Sequence, residues 1–491
     1  MFFLKKTSIF IVLLIVTALL MFLSAILGVI LDNFVEARSF FYYGLLILLI
    51  SLFLTFASFK RALSSPVRSQ ILVAISSFII FPLIFTLPLL SLLPELDNHT
   101  LYFEMVSAFT TTGLTGLYTL DGISDTILFW QALVAWFGGL LIWTFYFSIF
   151  ATLDINDIFM IDGNRGEIEK KSYETKKTHH TEVFLNTFAS ILLPYIILTM
   201  VLWGVLRTTD DNTFLALIHS MSTMSTSGIS PYGSELKSTN YFGLLAIFVF
   251  LLFALNSSSL FSFKPLKFNS KILISTEINI AMKLVVLSSI ILSIVYSQKY
   301  YSFDSILTTI LENVFICLSF LTTTGWHFET IFQLDTHHFS LVLIGLALIG
   351  GGIGTTAGGI KLFRIVIMQR HLRSEFGKMI YPSVIRASES RMKLNDSIIL
   401  KVWVFFSTFI FFILISFCCL SLFGMSMMDA IILSISTFSN TGPLYNVIFQ
   451  SSSFYEEISF PINYVLILGM VLGRVEILVL FALFNKELWQ K

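Results

Sequence analysis

Long apolar runs constrain this chain more than any other feature of its sequence. They cover roughly residues 8–31, 39–59, 71–93, 127–151, 183–206, 241–263, 278–297, 339–368, 399–423 and 461–484. A helix needs about 20 apolar residues to cross the hydrocarbon of a bilayer, and each run is near or above that length. Because the chain is 56% hydrophobic and only 12% charged, it has too little polar surface for a water-soluble fold. The sequence therefore predicts an all-α membrane protein with a span at each run.

The distribution of basic residues over the loops predicts the orientation of these spans. Basic loop residues on one face include Lys60, Arg61, Lys170, Lys171, Lys264, Lys267, Arg370, Arg373 and Arg391, whereas the opposite face has Arg38, Arg207, Lys237 and Lys299. Short cytoplasmic loops are enriched in Lys and Arg, so both termini are predicted to be cytoplasmic. Acidic residues are common on the opposite, outer face. They either attract cations or simply fill loops from which bases are excluded, and both alternatives stay open.

One motif, S-x-x-[ST]-[TN]-[ST]-G, occurs four times, each time in an outer connection between two apolar runs. Its glycines are Gly113, Gly228, Gly325 and Gly442, and the serines six residues earlier are Ser107, Ser222, Ser319 and Ser436. Each copy follows an apolar stretch that is too short to cross a membrane. A single copy would be an ordinary Ser/Thr-rich turn that caps a helix. Four copies in equivalent places predict a repeated unit of span, short re-entrant helix, hydroxyl-rich loop and span.

Four such units can surround one axis with approximate fourfold symmetry. Irregular backbone at membrane depth is tolerated only where it is buried or lines a watery path. Uncharged loops that converge on an axis present carbonyl and hydroxyl oxygens, which can replace the hydration shell of an alkali cation. Glycine allows the positive φ that turns carbonyls inward. The predicted ion-binding residues are Thr111, Thr112, Gly113, Thr226, Ser227, Gly228, Thr323, Thr324, Gly325, Asn440, Thr441 and Gly442.

These four loops resemble those of the Trk/Ktr/HKT superfamily of potassium transporters, and the longer bacterial Trk type most closely. Other stretches carry the same resemblance over nearly the whole chain: "WQALVAWFGGLLI" (130–142), "GGIGTTAGGIKLFR" (351–364), "SNTGPL" and "LGRVEILVLFALF" (472–484). In that family the loop glycines belong to the potassium filter, and a serine at the first glycine marks sodium-permeable plant relatives. Glycine at all four positions therefore favours potassium. Glu104 matches a family glutamate, which implies support of the filter from behind.

The resemblance also identifies departures from the family. The second loop, "STSG", lacks a second glycine that the family usually has, and Leu114, Trp326 and Leu444 are bulkier than common family choices. The sequence of the long loop between the first and second repeats does not match the sequence that is usual in the family. These differences bear on fine selectivity and regulation rather than on the fold.

Two features predict a gate. Seven glycines between Gly345 and Lys361 interrupt a predicted span, and each costs a helix about 1 kcal/mol relative to alanine. Small-residue helix packing is the alternative explanation, but the family resemblance implies a flexible loop beneath the filter.

Arg474 lies inside the last span, where a guanidinium is either paired with an acid or functional. In the family the matching arginine lies in the pore. The predicted gate comprises Gly350, Gly351, Gly352, Gly354, Gly358, Gly359, Lys361 and Arg474.

The predicted organisation is a two-helix extension at 1–66 followed by four pore repeats at 67–153, 180–264, 276–372 and 397–491, the third with a broken second helix.

The leading functional prediction is potassium-selective uptake across a bacterial inner membrane. A sodium-permeable or cation-coupled symport through the same pore is the alternative. A membrane enzyme or sensor is disfavoured because clustered catalytic side chains and a large soluble domain are missing from the sequence. Potassium is the one expected ligand, without an organic cofactor or nucleic acid. Resemblance implies a homodimer in the lipid bilayer with a cytoplasmic, nucleotide-binding TrkA-type regulatory subunit.

Overall fold

A computed structural model describes residues 8–58, 66–117, 123–152, 180–209, 212–236, 241–255, 276–297, 303–328, 336–380, 396–449 and 459–475. Most of the basic loop residues on which the predicted orientation depends, including Lys60, Lys170, Lys264 and Arg391, lie outside these ranges. So does the last predicted span beyond residue 475. Within the described ranges the regular structure is helical, apart from one isolated parallel bridge between Glu235 and His327.

The first two helices form an antiparallel pair, α1 (Ile9–Ile30) and α2 (Phe34–Ser58). The chain reverses over three residues, where Asp32 has a φ of 59° and the Asn33 N–H donates to the Gly28 carbonyl over 2.8 Å. Both helices are apolar around most of their circumference, which is typical of helices surrounded by lipid and protein. The pair packs on the rest of the chain through ring contacts such as that of Phe40 with Trp130, at 5.2 Å between centroids.

The remaining helices repeat one order, in which a long helix is followed by a short helix, a glycine-containing loop and another helix. The first repeat contains α3 (Pro66–Leu92), α4 (Asn98–Phe109) and α5 (Asp125–Thr152), and the second α6 (His180–Thr209), α7 (Thr213–Ser225) and α8 (Tyr241–Leu251). The third contains α9 (Thr276–Ser297), α10 (Phe303–Leu321), α11 (Thr336–Ile349) and α12 (Leu362–Ile380). The fourth contains α13 (Asp396–Leu422), α14 (Met427–Ser439), α15 (Pro443–Phe449) and α16 (Phe460–Arg474).

Seven of the described helices are long and apolar enough to cross a membrane, fewer than the ten predicted spans. The other three predicted spans are represented by shorter apolar helices, α8, α11 and α16. α8 passes into a 3₁₀ turn (Leu252–Leu255), and α11 ends where the glycines begin. α16 ends at Arg474, close to the limit of the described residues. The predicted break in the span at 339–368 is therefore present, and it divides that run into α11 and α12.

Short helices such as α4 are buried in aromatic packing that fixes where they end. Phe109, the last residue of α4, has ring centroids of Phe78 and Phe85 at 5.3 Å and that of Phe137 at 6.1 Å. Aromatic pairs of this kind contribute about 0.5–1.5 kcal/mol each beyond simple burial. The rings come from α3, α4 and α5, so one repeat holds its own short helix in place.

Candidate functional site

Four glycine loops, numbered 1 to 4 and comprising residues 110–113, 225–228, 322–325 and 439–442, share one backbone conformation at the ends of α4, α7, α10 and α14. In each loop the residue before the glycine donates its N–H to the carbonyl of the motif serine five residues earlier. The four N–O distances are 2.9, 3.0, 2.9 and 2.9 Å for Thr112–Ser107, Ser227–Ser222, Thr324–Ser319 and Thr441–Ser436. A bond of this span closes the end of a helix on a residue in left-handed conformation. The motif therefore codes for a specific helix end, which accounts for its recurrence.

The left-handed residue is the second one before each glycine. The φ values are 52° for Thr111, 55° for Thr226, 58° for Thr323 and 52° for Asn440. Positive φ is uncommon for β-branched residues, and a strained backbone of this type is concentrated at functional sites. The four loops therefore share a costly local conformation that the surrounding structure must hold.

The glycines behave alike in three loops and differently in the fourth. Gly113, Gly228 and Gly325 have φ values of 72°, 64° and 79°. Gly442 does not have a positive φ, because the chain turns directly from it into α15, which begins at Pro443. The positive φ that glycine allows is therefore used at three of the four loop glycines and not at Gly442.

The loops touch one another in sequence. A Cβ added at Gly113 would overlap the carbonyl oxygen of Ser227 in loop 2, and a Cβ added at Gly228 would overlap that of Thr324 in loop 3. The absence of a side chain at these two glycines lets the carbonyl of one loop lie against the backbone of the preceding loop. Close approach of this kind is a main use of glycine in proteins.

Loop 4 completes the circle. A Cβ added at Gly325 would lie 2.5 Å from the Cβ of Pro443, and one added at Gly442 would lie 2.5 Å from the carbonyl carbon of Gly113. The Gly442 N–H also donates to the Thr112 carbonyl over 2.7 Å. Loop 1 therefore contacts loops 2 and 4, and loop 3 contacts loop 2 and Pro443, the residue that follows loop 4. Four loops that are more than 90 residues apart in sequence thus form one closed ring.

The ring is rich in uncharged oxygen. All twelve predicted ion-binding residues are buried, and their groups are hydroxyls, backbone carbonyls and one amide. Some of these oxygens already have partners in the ring, since the Thr112 carbonyl accepts from Gly442 and the Thr441 carbonyl accepts from the Ser436 hydroxyl over 3.0 Å. Oxygens of this kind are hard ligands that suit alkali cations.

A hairpin loop of residues 350–361 separates α11 from α12. Its two ends are paired, because Ile360 N–H donates to the Leu348 carbonyl over 3.0 Å and Leu362 N–H donates to the Gly351 carbonyl over 2.9 Å. Four of its residues have positive φ: Gly350 at 72°, Gly354 at 68°, Gly359 at 77° and Lys361 at 81°. The predicted gate glycines therefore form a folded hairpin and not a segment of helix.

Lys361 holds the hairpin loop together. Its side chain is buried, at 7% exposure, and the Nζ donates to the carbonyl of Thr355 over 3.4 Å and to that of Ala357. An ammonium group that binds two carbonyls of its own loop holds that loop closed.

The hairpin loop lies against the ring. The Gly358 N–H donates to the Thr323 hydroxyl in loop 3 over 2.8 Å, and a Cβ added at Gly358 would overlap the Ser439 carbonyl in loop 4. The two predicted sets of residues are thus in direct contact.

Arg474 joins the hairpin loop to loop 1. Its guanidinium donates to the Thr356 carbonyl in the hairpin loop, to the Thr110 carbonyl, and to both the carbonyl and the hydroxyl of Thr111. The residue is 9% exposed. Hydrogen bonds from a charged donor contribute about 1.5–3 kcal/mol each, so this side chain ties two loops that belong to different repeats. The alternative of an ion pair with an acid is not seen in the described part of the chain.

Glu104 supports loop 1 from behind. Its carboxylate accepts from the Gly116 N–H and from the Gln131 side chain, each over 2.8 Å, and Gln131 also donates to the Thr115 hydroxyl over 2.8 Å. The carboxylate is fully buried. This contact agrees with the supporting position that the sequence resemblance implied.

Sequence reasoning missed a second buried cluster, which lies behind loops 2 and 3. His219 lies 3.2 Å from the Ser230 hydroxyl, measured from Nε2 to Oγ, and its ring packs against Trp326. The motif alignment contains the signal that reveals it, because His219 and Glu104 each stand nine residues before a loop glycine. From the sequence alone, Trp326 differs from the family only in its bulk.

Within the described residues there is no group of three or more His, Cys, Asp and Glu side chains that could hold a metal ion. Long apolar helices and a closed ring of four uncharged, oxygen-rich loops instead define a class, namely multi-span membrane proteins that pass small cations. The chain belongs to the TrkH family of cation transport proteins, whose model matches residues 36–256 and 253–491.

Curated relatives agree with this assignment. The chain is 27% identical over 412 residues to the Trk system potassium uptake protein TrkH of Salmonella typhimurium, with 81% of each chain covered. It is 26% identical over 409 residues to the protein of the same name from Escherichia coli K12, again with 81% of each covered. A protein of that name from Halomonas elongata is 26% identical over 393 residues, with 79% of each covered.

A solved structure confirms the fold. The crystal structure of the potassium transporter TrkH from Vibrio parahaemolyticus superposes with a TM-score of 0.79 at 23% identity and covers 100% of both chains. The predicted fold class, four span–short-helix–loop–span repeats around one pore with a two-helix N-terminal extension, is therefore confirmed. So is the predicted family.

Proposed function

We propose that this protein takes up potassium through a filter formed by the four glycine loops. The closed ring of loops is the observation that carries the proposal, because it gathers buried carbonyl and hydroxyl oxygens from all four repeats at one place. The curated relatives named as potassium uptake proteins support the choice of ion. The membrane potential would drive entry, since moving one charge through 100 mV is worth about 2.3 kcal/mol.

Selectivity would depend on how firmly the ring holds its oxygens. A filter replaces the water around a cation with oxygens at suitable distances and in suitable number. Three of the four loop junctions bring a carbonyl against the neighbouring glycine or its N–H, whereas the junction between loops 3 and 4 uses the Pro443 ring. The filter would therefore be fourfold only approximately, with its main irregularity at Pro443.

The hairpin loop and Arg474 would form the gate. A guanidinium beneath a cation filter repels the permeating ion, and here it is fixed by carbonyls of both loop 1 and the hairpin loop. Opening would require the hairpin loop to move, which breaks the bonds of Arg474 to Thr356 and of Gly358 to Thr323. The gate residues named from sequence would then act as one constriction.

A partner on the cytoplasmic side would control this movement. α12 continues directly from the hairpin loop and carries exposed basic side chains such as Arg373 and Lys378. A nucleotide-binding regulatory subunit of the TrkA type that docks there would pull on the hairpin loop through α12. This proposal places both termini in the cytoplasm of a bacterium, with the protein as a homodimer in the inner membrane.

Growth of a potassium-uptake-deficient bacterial strain at limiting potassium tests the proposed function. The wild-type chain should restore growth, whereas Gly113→Ser should abolish the rescue or make it sensitive to sodium, because a Cβ at Gly113 overlaps the Ser227 carbonyl. Gly345→Ser is the matched control, since a Cβ at Gly345 meets nothing within 4 Å. Full rescue by Gly113→Ser would contradict the filter assignment. Failure of the wild type, with the regulatory subunit co-expressed, would contradict potassium uptake itself.

A further inference from the structure

We propose that His219 is a positioning residue for cation selectivity, which holds loop 2 through Ser230 and loop 3 through Trp326. The inference rests on the proposed function, because it assumes that the glycine loops form the filter. It concerns the contacts of His219 with Ser230 and Trp326, the residues that follow loops 2 and 3.

The position of His219 is the counterpart of Glu104. Each residue stands nine positions before its loop glycine, and each is completely buried. At the same position the third and fourth repeats have Ile316 and Leu433, whose side chains have no hydrogen-bonding group. The residue nine positions before the loop glycine is therefore polar in the first two repeats and apolar in the other two.

His219 binds the segment that leaves loop 2. Its Nε2 lies 3.2 Å from the hydroxyl of Ser230, which is two residues beyond Gly228, and the Tyr232 N–H donates to that hydroxyl over 3.2 Å. Loop 1 is held at the matching place, because Thr115 is two residues beyond Gly113 and belongs to the network of Glu104. In neighbouring repeats, an imidazole and a carboxylate thus bind the chain segment that follows the glycine loop, the imidazole directly and the carboxylate partly through Gln131.

The same histidine reaches loop 3 through Trp326, the residue after Gly325. The two rings are 5.1 Å apart between centroids at an interplanar angle of 72°, an edge-to-face contact. The indole N–H of Trp326 donates to the Thr223 hydroxyl on α7 over 3.3 Å. One buried cluster on α7 therefore fixes the first residue of the chain after loop 3.

Backbone hydrogen bonds also join the chain segment that follows loop 2 to the one that follows loop 3. The Leu236 N–H donates to the His327 carbonyl over 3.0 Å, and the His327 N–H donates to the Ser234 carbonyl over 3.3 Å. The chain segments that follow loops 2 and 3 are thus joined to each other. His219 contacts both segments, at Ser230 and at Trp326. Its removal should shift both loops together.

One ring nitrogen of His219 does the binding, which allows a precise substitution. Nδ1 has no hydrogen-bond partner among the described residues, so Nε2 makes the one hydrogen bond of the ring there. Glutamine can place its amide group, which offers both a donor and an acceptor, close to the position of Nε2, whereas phenylalanine keeps a ring against Trp326 and loses the hydrogen bond. His219→Gln and His219→Phe therefore separate the bond from the packing.

The experiment measures potassium and sodium fluxes, and the KM and maximal rate for potassium, of purified protein in liposomes. His219→Phe should lower the ratio of potassium to sodium flux about five-fold, the factor expected for the loss of one ordinary hydrogen bond of about 1 kcal/mol. His219→Gln should restore the ratio. Ser230→Ala, which removes the partner hydroxyl, should lower it in the same direction and raise the KM for potassium more than it changes the maximal rate. His99→Gln is the control, because His99 is also on a short helix and contacts an aromatic ring, that of Phe460.

Unchanged selectivity in both His219→Phe and Ser230→Ala would overturn the proposal, as would a loss of rate with an unaltered ion ratio. If His219→Phe cannot be purified as folded protein, the flux ratio of Ser230→Ala decides alone. Wild type and Gly113→Ser are measured in the same preparation. If the wild type shows no preference for potassium, or Gly113→Ser leaves the preference intact, the filter assignment fails rather than the role of His219.

Discussion

The ring of glycine loops and the hairpin loop are both irregular, buried and dependent on glycine, yet they are held in different ways. Each glycine loop is fixed by its own helix end and by loops on either side. The hairpin loop occurs once, closes on itself through Lys361, and is joined to the ring by polar contacts such as those of Gly358 and Arg474. Under the proposed function, the ring must keep its oxygens at fixed distances, whereas the contacts of Gly358 and Arg474 are the ones that must break when the hairpin loop moves.

The largest expected effect concerns the ring. Gly228→Ala places a side chain where φ is 64° and where the Thr324 carbonyl already lies. Backbone strain of about 1–3 kcal/mol and overpacking of about 1–3 kcal/mol should together lower the thermal stability in detergent and abolish potassium flux. Gly204→Ala, which meets nothing within 4 Å, should retain both. If Gly228→Ala conducted normally at full stability, the ring would not be the rigid part of the molecule.

A smaller effect, and of opposite sign, is expected for Arg474→Ala. The substitution removes a positive charge and its bonds to loop 1 and the hairpin loop, each worth about 1.5–3 kcal/mol. The resting flux of potassium into liposomes should rise by at least about ten-fold, which corresponds to one such bond. Arg474→Lys keeps the positive charge but loses the planar set of donors of the guanidinium. Its flux should therefore lie between those of the wild type and Arg474→Ala. An unchanged flux in Arg474→Ala would show that this arginine does not belong to the gate.

The smallest effect separates two threonines at the same position of the motif. Thr323→Val removes the oxygen that accepts from the Gly358 N–H, so the hairpin loop should open more readily and flux should rise about five-fold, as for one hydrogen bond of about 1 kcal/mol. The Thr226 hydroxyl donates to the Ser225 carbonyl next to it instead of accepting from the hairpin loop, so Thr226→Val should not raise the flux. Equal effects in both variants would mean that loop 3 has no special link to the gate.

The repeat could be predicted from sequence because a helix end is a local property. The motif serine, the residue before glycine and the left-handed residue interact within six positions, so the four copies were visible as a pattern. The break after Ile349 was predictable for the same reason, because the glycine content of 350–359 disfavours a helix regardless of its neighbours.

Contacts between repeats could not be predicted in this way. The order in which the loops touch, the negative φ of Gly442 and the bond from Gly358 to Thr323 depend on how residues far apart in sequence are brought together. The same holds for the contacts of His219 with Ser230 and Trp326, although the position of His219, nine residues before its loop glycine like Glu104, was visible in the sequence. The identity of the twelve ion-binding residues and the eight gate residues as a working site remains a prediction, as do the boundaries of the four repeats.

The four short helices α4, α7, α10 and α14 all end at the ring, which has an electrostatic consequence. A helix carries about half an elementary negative charge at its C-terminus, so four ends bring roughly two negative charges to one place without a carboxylate in any glycine loop. This potential favours a cation over an anion. It belongs to the backbone and not to a titratable group, so acid cannot neutralise it.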